Sequence, residues 1–542
     1  MKNGSKSMRS WSWGLALSLA LVGCGTRPAF WDAPVGGAQP FALRDAVAIT
    51  DPSAGRVVLL TTDAARNVRE RSVPLQRGFR AATLAPDRSK LFVVSAGDDG
   101  GLPPEGQAAQ SAALEIVTTA GQLTYPLSQA LDGIALDPGG QWAVLYASGS
   151  STGLVSNPNE LLLVDLSQPP SPGLNPVSHT LRSFGGKPQR FTFTDKLELP
   201  GGSRRLLVVE TEQDVAVVDL LQPAAPEITI QLSSGQDATP AHPQAVAVSD
   251  GDPGPNDARL AIREDDGNVV VATMLPAADR DFSPELNLTA VGSTPSDMAW
   301  VRTDAGVLSL AVLVPQSTKA VLVDPTTGLT QDVALPAAYS RLSLVTGQSG
   351  ESGSTGPAPV DVALLWNGAN SGNGGVAFWE LGRVAGRPYR SVETVGVTAG
   401  VTSVTDVGGD HPELKILGTR QASFFLLNLQ ARTAAPFVTS TSGVTMLPSS
   451  TGDRAWAYVP GTSQLAAVDL LTLHPQDLRD ERPISSLFEI DALDDPMHPT
   501  RSLVALTQQG TWGATVYDAA AVGDADAHTA LSGILLEGTD AP

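Results

Sequence analysis

The stretch RLLVVETEQDVAVVDL, residues 205–220, holds two short apolar runs separated by polar residues, and the second run ends at Asp219. Short runs rich in Val and Leu, bounded by turn-forming residues, read as buried strands rather than helix. The second run belongs to a series. RVVLLT ends at Thr61, ALEIVT at Thr118, LLLVD at Asp165, VVVAT at Thr273, AVLVD at Asp324, VAFWE at Glu380, FFLLN at Asn428, LAAVD at Asp469 and ATVYD at Asp518. Successive ends lie 41 to 57 residues apart.

The first run recurs too, as KLFVVS (90–95), QWAVLY (141–146), RLAIRE (259–264), VALLW (362–366) and RAWAYV (454–459). Turn signals such as APDRSK (85–90), DPGGQ (137–141) and SSTGDR (449–454) precede these runs and supply the Gly, Asp and Pro of tight hairpins. An inner strand stands ahead of the turn, as in RAATLAP, DGIALDP, QAVAVSD and SDMAWVR, and a polar one follows, as in GLTQDVAL (328–335). Four strands repeated at this period are the signature of β-propeller blades.

The expected fold is therefore all-β: a β-propeller of about ten four-stranded antiparallel blades, above the usual four to eight. Such a chain can form one large ring or two smaller ones. The most linker-like segment, TGQSGESGSTGPAP (346–359), falls inside the seventh unit, so a single ring is expected. The first unit shows no inner strand of its own, and LSGILLEG (531–538) is expected near a seam that pairs the chain ends.

The hairpin LAPDRSKLFVV (84–94) and the strand VAVVDL (215–220) resemble the YVTN or lactonase-like repeats of bacterial surface propellers. The resemblance spans residues 45–537 and bears on fold more than on activity. It implies two enzyme possibilities. Lactonase-type propellers hold a divalent ion over the axis with Glu, Asn and Asp from different blades. Quinone-dependent ones repeat an Asp-x-x-Thr-Gly-Lys pattern that VDPTTGLT (323–330) matches once and in part.

The N-terminus carries Lys2, Lys6 and Arg9 ahead of the apolar run WSWGLALSLAL (11–21), the pattern of a secretory signal peptide. That run is too short for a membrane-spanning helix. Leu21, Val22, Gly23 and Cys24 resemble the bacterial lipobox, which implies cleavage before Cys24 and lipidation of its thiol. Cys24 is the only cysteine of 542 residues, so no intrachain disulfide is available. Gly25 rather than Asp follows it, which by the same resemblance implies the outer membrane of a bacterial envelope.

The chain has 56 acidic and 35 basic residues, and loss of residues 1–23 with their three basic groups moves the charge from −21 to −24. That balance argues against nucleic acid and anionic lipid headgroups as partners. Four of six histidines, His242, His411, His474 and His498, precede proline, which reads as loop-to-strand entry. No His-Glu-x-x-His spacing occurs. Asp250, Asp252 and Asp257, in DGDPGPND (250–257), are weak candidates for a calcium site, since the loop lacks the middle Gly and terminal Glu of a calcium loop. GQSGESGSTG (347–356) fails the spacing of a nucleophile elbow. The Asp column at the strand ends (Asp165, Asp219, Asp324, Asp469, Asp518) reads as turn architecture.

Residues 1–23 thus read as lipoprotein signal peptide, 24–44 as lipidated tether, 45–538 as propeller and 539–542 as tail. The expected function is a lipid-anchored binding or scaffold module at the cell envelope, engaging an envelope protein or small ligand, with no catalytic residue assigned and no cofactor named. The alternative is a metal-dependent hydrolase, lactonase-like, with its site on the ring axis.

Overall fold

The computed structural model describes residues 36–536 apart from 99–101, 104, 150–156, 183–184, 233–240, 250–257, 279–280, 304–306, 346–361, 369–374, 382–390, 398–399, 422, 438–442, 494–499 and 522–527. Strands assemble into ten four-stranded antiparallel sheets, each built from consecutive strands apart from a side hairpin in the fourth. Blade 1 comprises Gln39–Ala42, Val47–Asp51, Arg56–Thr62 and Val68–Pro74. Blades 2 to 10 span 79–126, 133–180, 190–231, 243–290, 297–334, 341–395, 401–437, 445–484 and 486–532. Among the described residues no helix is long and apolar enough to cross a membrane.

The apolar runs that mark the repeat are the second and third strands of each blade. In blade 2 the second strand, Leu91–Ser95, is buried throughout. Leu91 and Val93 join the core shared with blade 1, whereas Phe92 and Val94 join the core shared with blade 3. Side chains alternate across a strand, and both faces of this blade are covered, so the run is apolar up to Ser95, whose buried hydroxyl donates to Glu115 at 2.8 Å. The outermost strands are largely open to solvent, as VRERSVP of Val68–Pro74 shows, where Arg69–Ser72 are all exposed.

Ten such cores occur among the described residues, one at each interface in chain order. The last lies between blades 10 and 1, where Val58 and Leu60 pack with Val504, Leu506, Trp512, Ile534 and Leu535. Two five-blade rings would instead pack blade 5 on blade 1 and blade 10 on blade 6. The chain is one ten-bladed ring.

The start of that ring corrects the sequence reading. Gln39–Ala42 is the inner strand of blade 1, pairing with Val47–Thr50, so four residues assigned to the tether belong to the ring. QPFA escapes a hydrophobic pattern because it is short, begins with Gln and Pro, and is only half covered.

Closure brings the chain ends together as expected, with Ile534 and Leu535 of LSGILLEG at the seam, but through no shared strand. Blade 10 and blade 1 each keep four strands of their own, and the seam is held by the shared core and by arginine hydrogen bonds. Arg56 donates to the carbonyls of Leu535 (3.2 Å) and Leu536 (3.1 Å). Arg88 of blade 2 donates to Ala42 (2.9 Å) and Leu43 (3.1 Å) of blade 1 and to Glu489 of blade 10 (3.0 Å). Backbone bonds run the same way, from Arg44 N–H to Arg88 and from Asp491 N–H to Arg44, both 2.8 Å. A planar guanidinium presents several donors at fixed angles, which suits one side chain to several carbonyls.

Candidate functional site

Antiparallel strands give the ring two distinct ends. Inner strands begin at one, here the entry end, which also carries the second-to-third strand connections. The exit end carries the first-to-second and third-to-fourth connections.

At the entry end, Arg190, Asp297 and Arg341 are each the first residue of an inner strand, in blades 4, 6 and 7. Arg190 pairs with Glu210 across its own blade (3.3 Å) and donates to the Gln244 carbonyl of blade 5. Arg263 of blade 5 donates to the carbonyls of Pro295 (2.7 Å) and Ser296 (2.6 Å) ahead of blade 6. Asp297 accepts the Leu342 N–H of blade 7 at 2.9 Å. Each blade of this arc therefore holds the next.

The arc concentrates perturbed charge. Burial lowers the basicity of Arg263, Asp297 opposes that, and Arg190 and Arg341 reinforce it. Burial raises the Asp297 carboxyl against the N–H groups of Leu342 and Met298. It likewise raises Glu210, offset by Arg190. Beside them Glu264 is fully buried and neither of its oxygens meets a donor. Burial, then the negative charges of Asp266 and Asp265, push its carboxyl up to about 8, so it carries a proton at neutral pH. The arc gathers Arg190, Arg263, Asp297 and a buried, protonated Glu264 at the joints of blades 4 to 7.

Cys24 and the lipobox residues Leu21, Val22 and Gly23 lie outside the described residues, as do Asp250, Asp252 and Asp257, His498 and the 347–356 loop. Among the described residues no three His, Cys, Asp or Glu side chains come together as metal ligands. Among the described residues the histidines do not converge. His242 stands at the entry end with Nδ1 2.6 Å from the Glu212 carbonyl, whereas His411 and His474 sit on exit-end connections of blades 8 and 9. His179 is buried between the Pro223 carbonyl (2.8 Å) and Glu227 (3.5 Å).

The Asp column caps turns. Oδ1 accepts N–H from Ser167 at Asp165 (2.9 Å), Leu221 at Asp219 (2.8 Å), Thr326 at Asp324 (2.8 Å), Leu471 at Asp469 (2.9 Å) and Ala520 at Asp518 (2.9 Å). Asn428 does the same for Gln430 at 3.0 Å, which explains why one unit uses Asn.

No protein-family model matches the chain, and no curated protein matches it. Solved structures similar to it include the dihydro-heme d1 dehydrogenase NirN, at 13% identity, 78% of each chain covered and a TM-score of 0.41. Sqt1 of Saccharomyces cerevisiae is 16% identical over 72% of this chain and 95% of its own, with a TM-score of 0.38. A eukaryotic initiation factor is 12% identical over 83% and 97%, with a TM-score of 0.46.

The arc residues carry no sequence motif. Arg190, Arg263, Asp297 and Arg341 sit in separate units, and only ring geometry joins them.

Proposed function

We propose that the chain is an exported, lipid-anchored binding or scaffold module of the bacterial cell envelope, held at the outer membrane through Cys24. The observation that carries this reading is the N-terminal sequence, in which Lys2, Lys6 and Arg9, a short apolar run and Leu21-Val22-Gly23-Cys24 stand in the order of a lipoprotein signal. Fourteen residues separate Cys24 from Gln39, the first strand residue, and Gln39 stands at the entry end. A closed ring supplies a rigid platform on which connecting loops present binding groups. Multiple acyl chains give stable anchoring, each buried methylene adding about 0.8 kcal/mol.

Fractionation tests this. The wild-type chain is expected with membranes and Cys24→Ser in the soluble fraction; a variant that stays with membranes contradicts the anchor.

A further inference from the structure

Residues 533–536, Gly-Ile-Leu-Leu, follow the outer strand of blade 10 and lie across the seam to blade 1. Arg482 of blade 9 fixes the strand end ahead of them, donating to the Leu531 carbonyl (2.7 Å) and the Ser532 hydroxyl (3.2 Å). Arg56 of blade 1 holds the far end through the Leu535 and Leu536 carbonyls, and its own place is set by buried Asp51 at 3.2 Å.

Between these arginines the segment clips onto the turn that joins the second and third strands of blade 10. Gly533 and Ile534 donate to the Trp512 carbonyl (2.9 and 3.3 Å), and Leu535 donates to the Thr511 carbonyl (3.0 Å). Ile534 and Leu535, 1% and 5% exposed, join the seam core with Val58, Leu60, Val504 and Trp512. None of the four residues belongs to a strand, and blade 10 has its four strands without them.

The closed arrangement carries a local cost. Trp512 has φ +60°, in the left-handed region that a bulky side chain rarely enters, and its indole Nε1 is buried with no acceptor among the described residues. Such a backbone persists only where its surroundings fix it, and the segment supplies two hydrogen bonds to the Trp512 carbonyl. Gly533, at φ +78°, makes the turn: a Cβ there would come within 2.6 Å of Leu536 Cδ1.

We propose that residues 533–536 are a strap that locks the ring and releases as a unit. Gly533 is the hinge, because Arg482 holds the strand end before it. When the strap lifts, Trp512 relaxes, Ile534 and Leu535 leave the seam core, and blades 10 and 1 part while blades 3 to 8 stay closed. No strand crosses the seam to keep it shut once the strap is gone.

Hydrogen exchange of the purified full chain, read by mass spectrometry under native conditions, tests this. In wild type, peptides covering the strap, the Thr511–Trp512 turn and the third strand of blade 1 are expected to exchange together and ahead of blades 3 to 8. Gly533→Ala, and separately Ile534→Ala with Leu535→Ala, are expected to speed all three by about tenfold or more and to leave blades 3 to 8 at wild-type rates. The proposal is overturned by a wild-type strap as slow as blades 3 to 8. A strap that exchanges while the seam strands stay slow overturns it too, as a frayed end that locks nothing. So do variants with wild-type exchange at the seam, with exchange raised evenly round the ring, or with a chain unfolded throughout, which would make these residues ordinary core.

Discussion

The Arg88 guanidinium of blade 2 lies 3.0 Å from the Glu489 carbonyl oxygen of blade 10, with blade 1 between them. One side chain thus ties three consecutive blades across the seam. The ring does not share a strand there, so this contact, the Arg56 and backbone hydrogen bonds and the core beneath them carry the closure together. Arg88→Ala leaves the carbonyls of Ala42, Leu43 and Glu489 without their charged donor and is expected to cost about 2 to 3 kcal/mol. Arg88→Lys, with a single point of donation, is expected to recover part of that. Equal melting temperatures for wild type and Arg88→Ala would contradict the role.

Trp512 is 3% exposed within the seam core. Trp512→Ala is expected to destabilise by about 3 to 5 kcal/mol. Chain ends at a seam without a shared strand are where opening begins, so hydrogen exchange is expected to rise first in blades 1 and 10 of this variant. Uniformly raised exchange round the ring would contradict the seam as the weak joint.

Glu264 holds its proton more tightly folded than unfolded. Stability is therefore complete below the ordinary value of 4.5 and falls as pH rises from there to about 8. Glu264→Gln removes this dependence. Melting temperatures measured from about pH 5 to about pH 8 are expected to fall for wild type relative to the variant, a difference of a few kcal/mol at the upper end. A gap that does not change with pH would show the carboxyl to be ionised throughout.

Asp469 accepts N–H groups from Leu471 and Thr472 at 2.9 and 2.8 Å. Asp469→Ala is expected to cost about 1 kcal/mol by chemical denaturation, and Asp469→Asn less, because an amide oxygen still accepts, as Asn428 demonstrates. Loss of membrane association in Asp469→Ala, at unchanged stability, would give the column a role beyond the turn.

These residues differ in how far the sequence reveals them. Strands two and three of each blade are visible because burial on both faces forces continuous apolar runs, as in Leu91–Ser95. The Asp column is visible because the turn after each third strand solves the same hydrogen-bonding problem. Gln39–Ala42 is hidden because an inner strand, covered in part, tolerates Gln and Pro. Arg88, Arg263 and Asp297 are hidden for another reason: their partners lie in other blades, and nothing near them in the chain marks the contact. Glu264 reads as one more acid in a Glu-Asp-Asp-Gly turn until the ring buries it.

The claim on which the account turns is that the ring hangs from a lipid on Cys24. Mass spectrometry of the N-terminal peptide of the protein extracted from membranes tests it most directly. The expected peptide begins at Cys24 and carries the mass of a diacylglyceryl thioether. A peptide that extends upstream of Cys24, or one with an unmodified thiol, would contradict it.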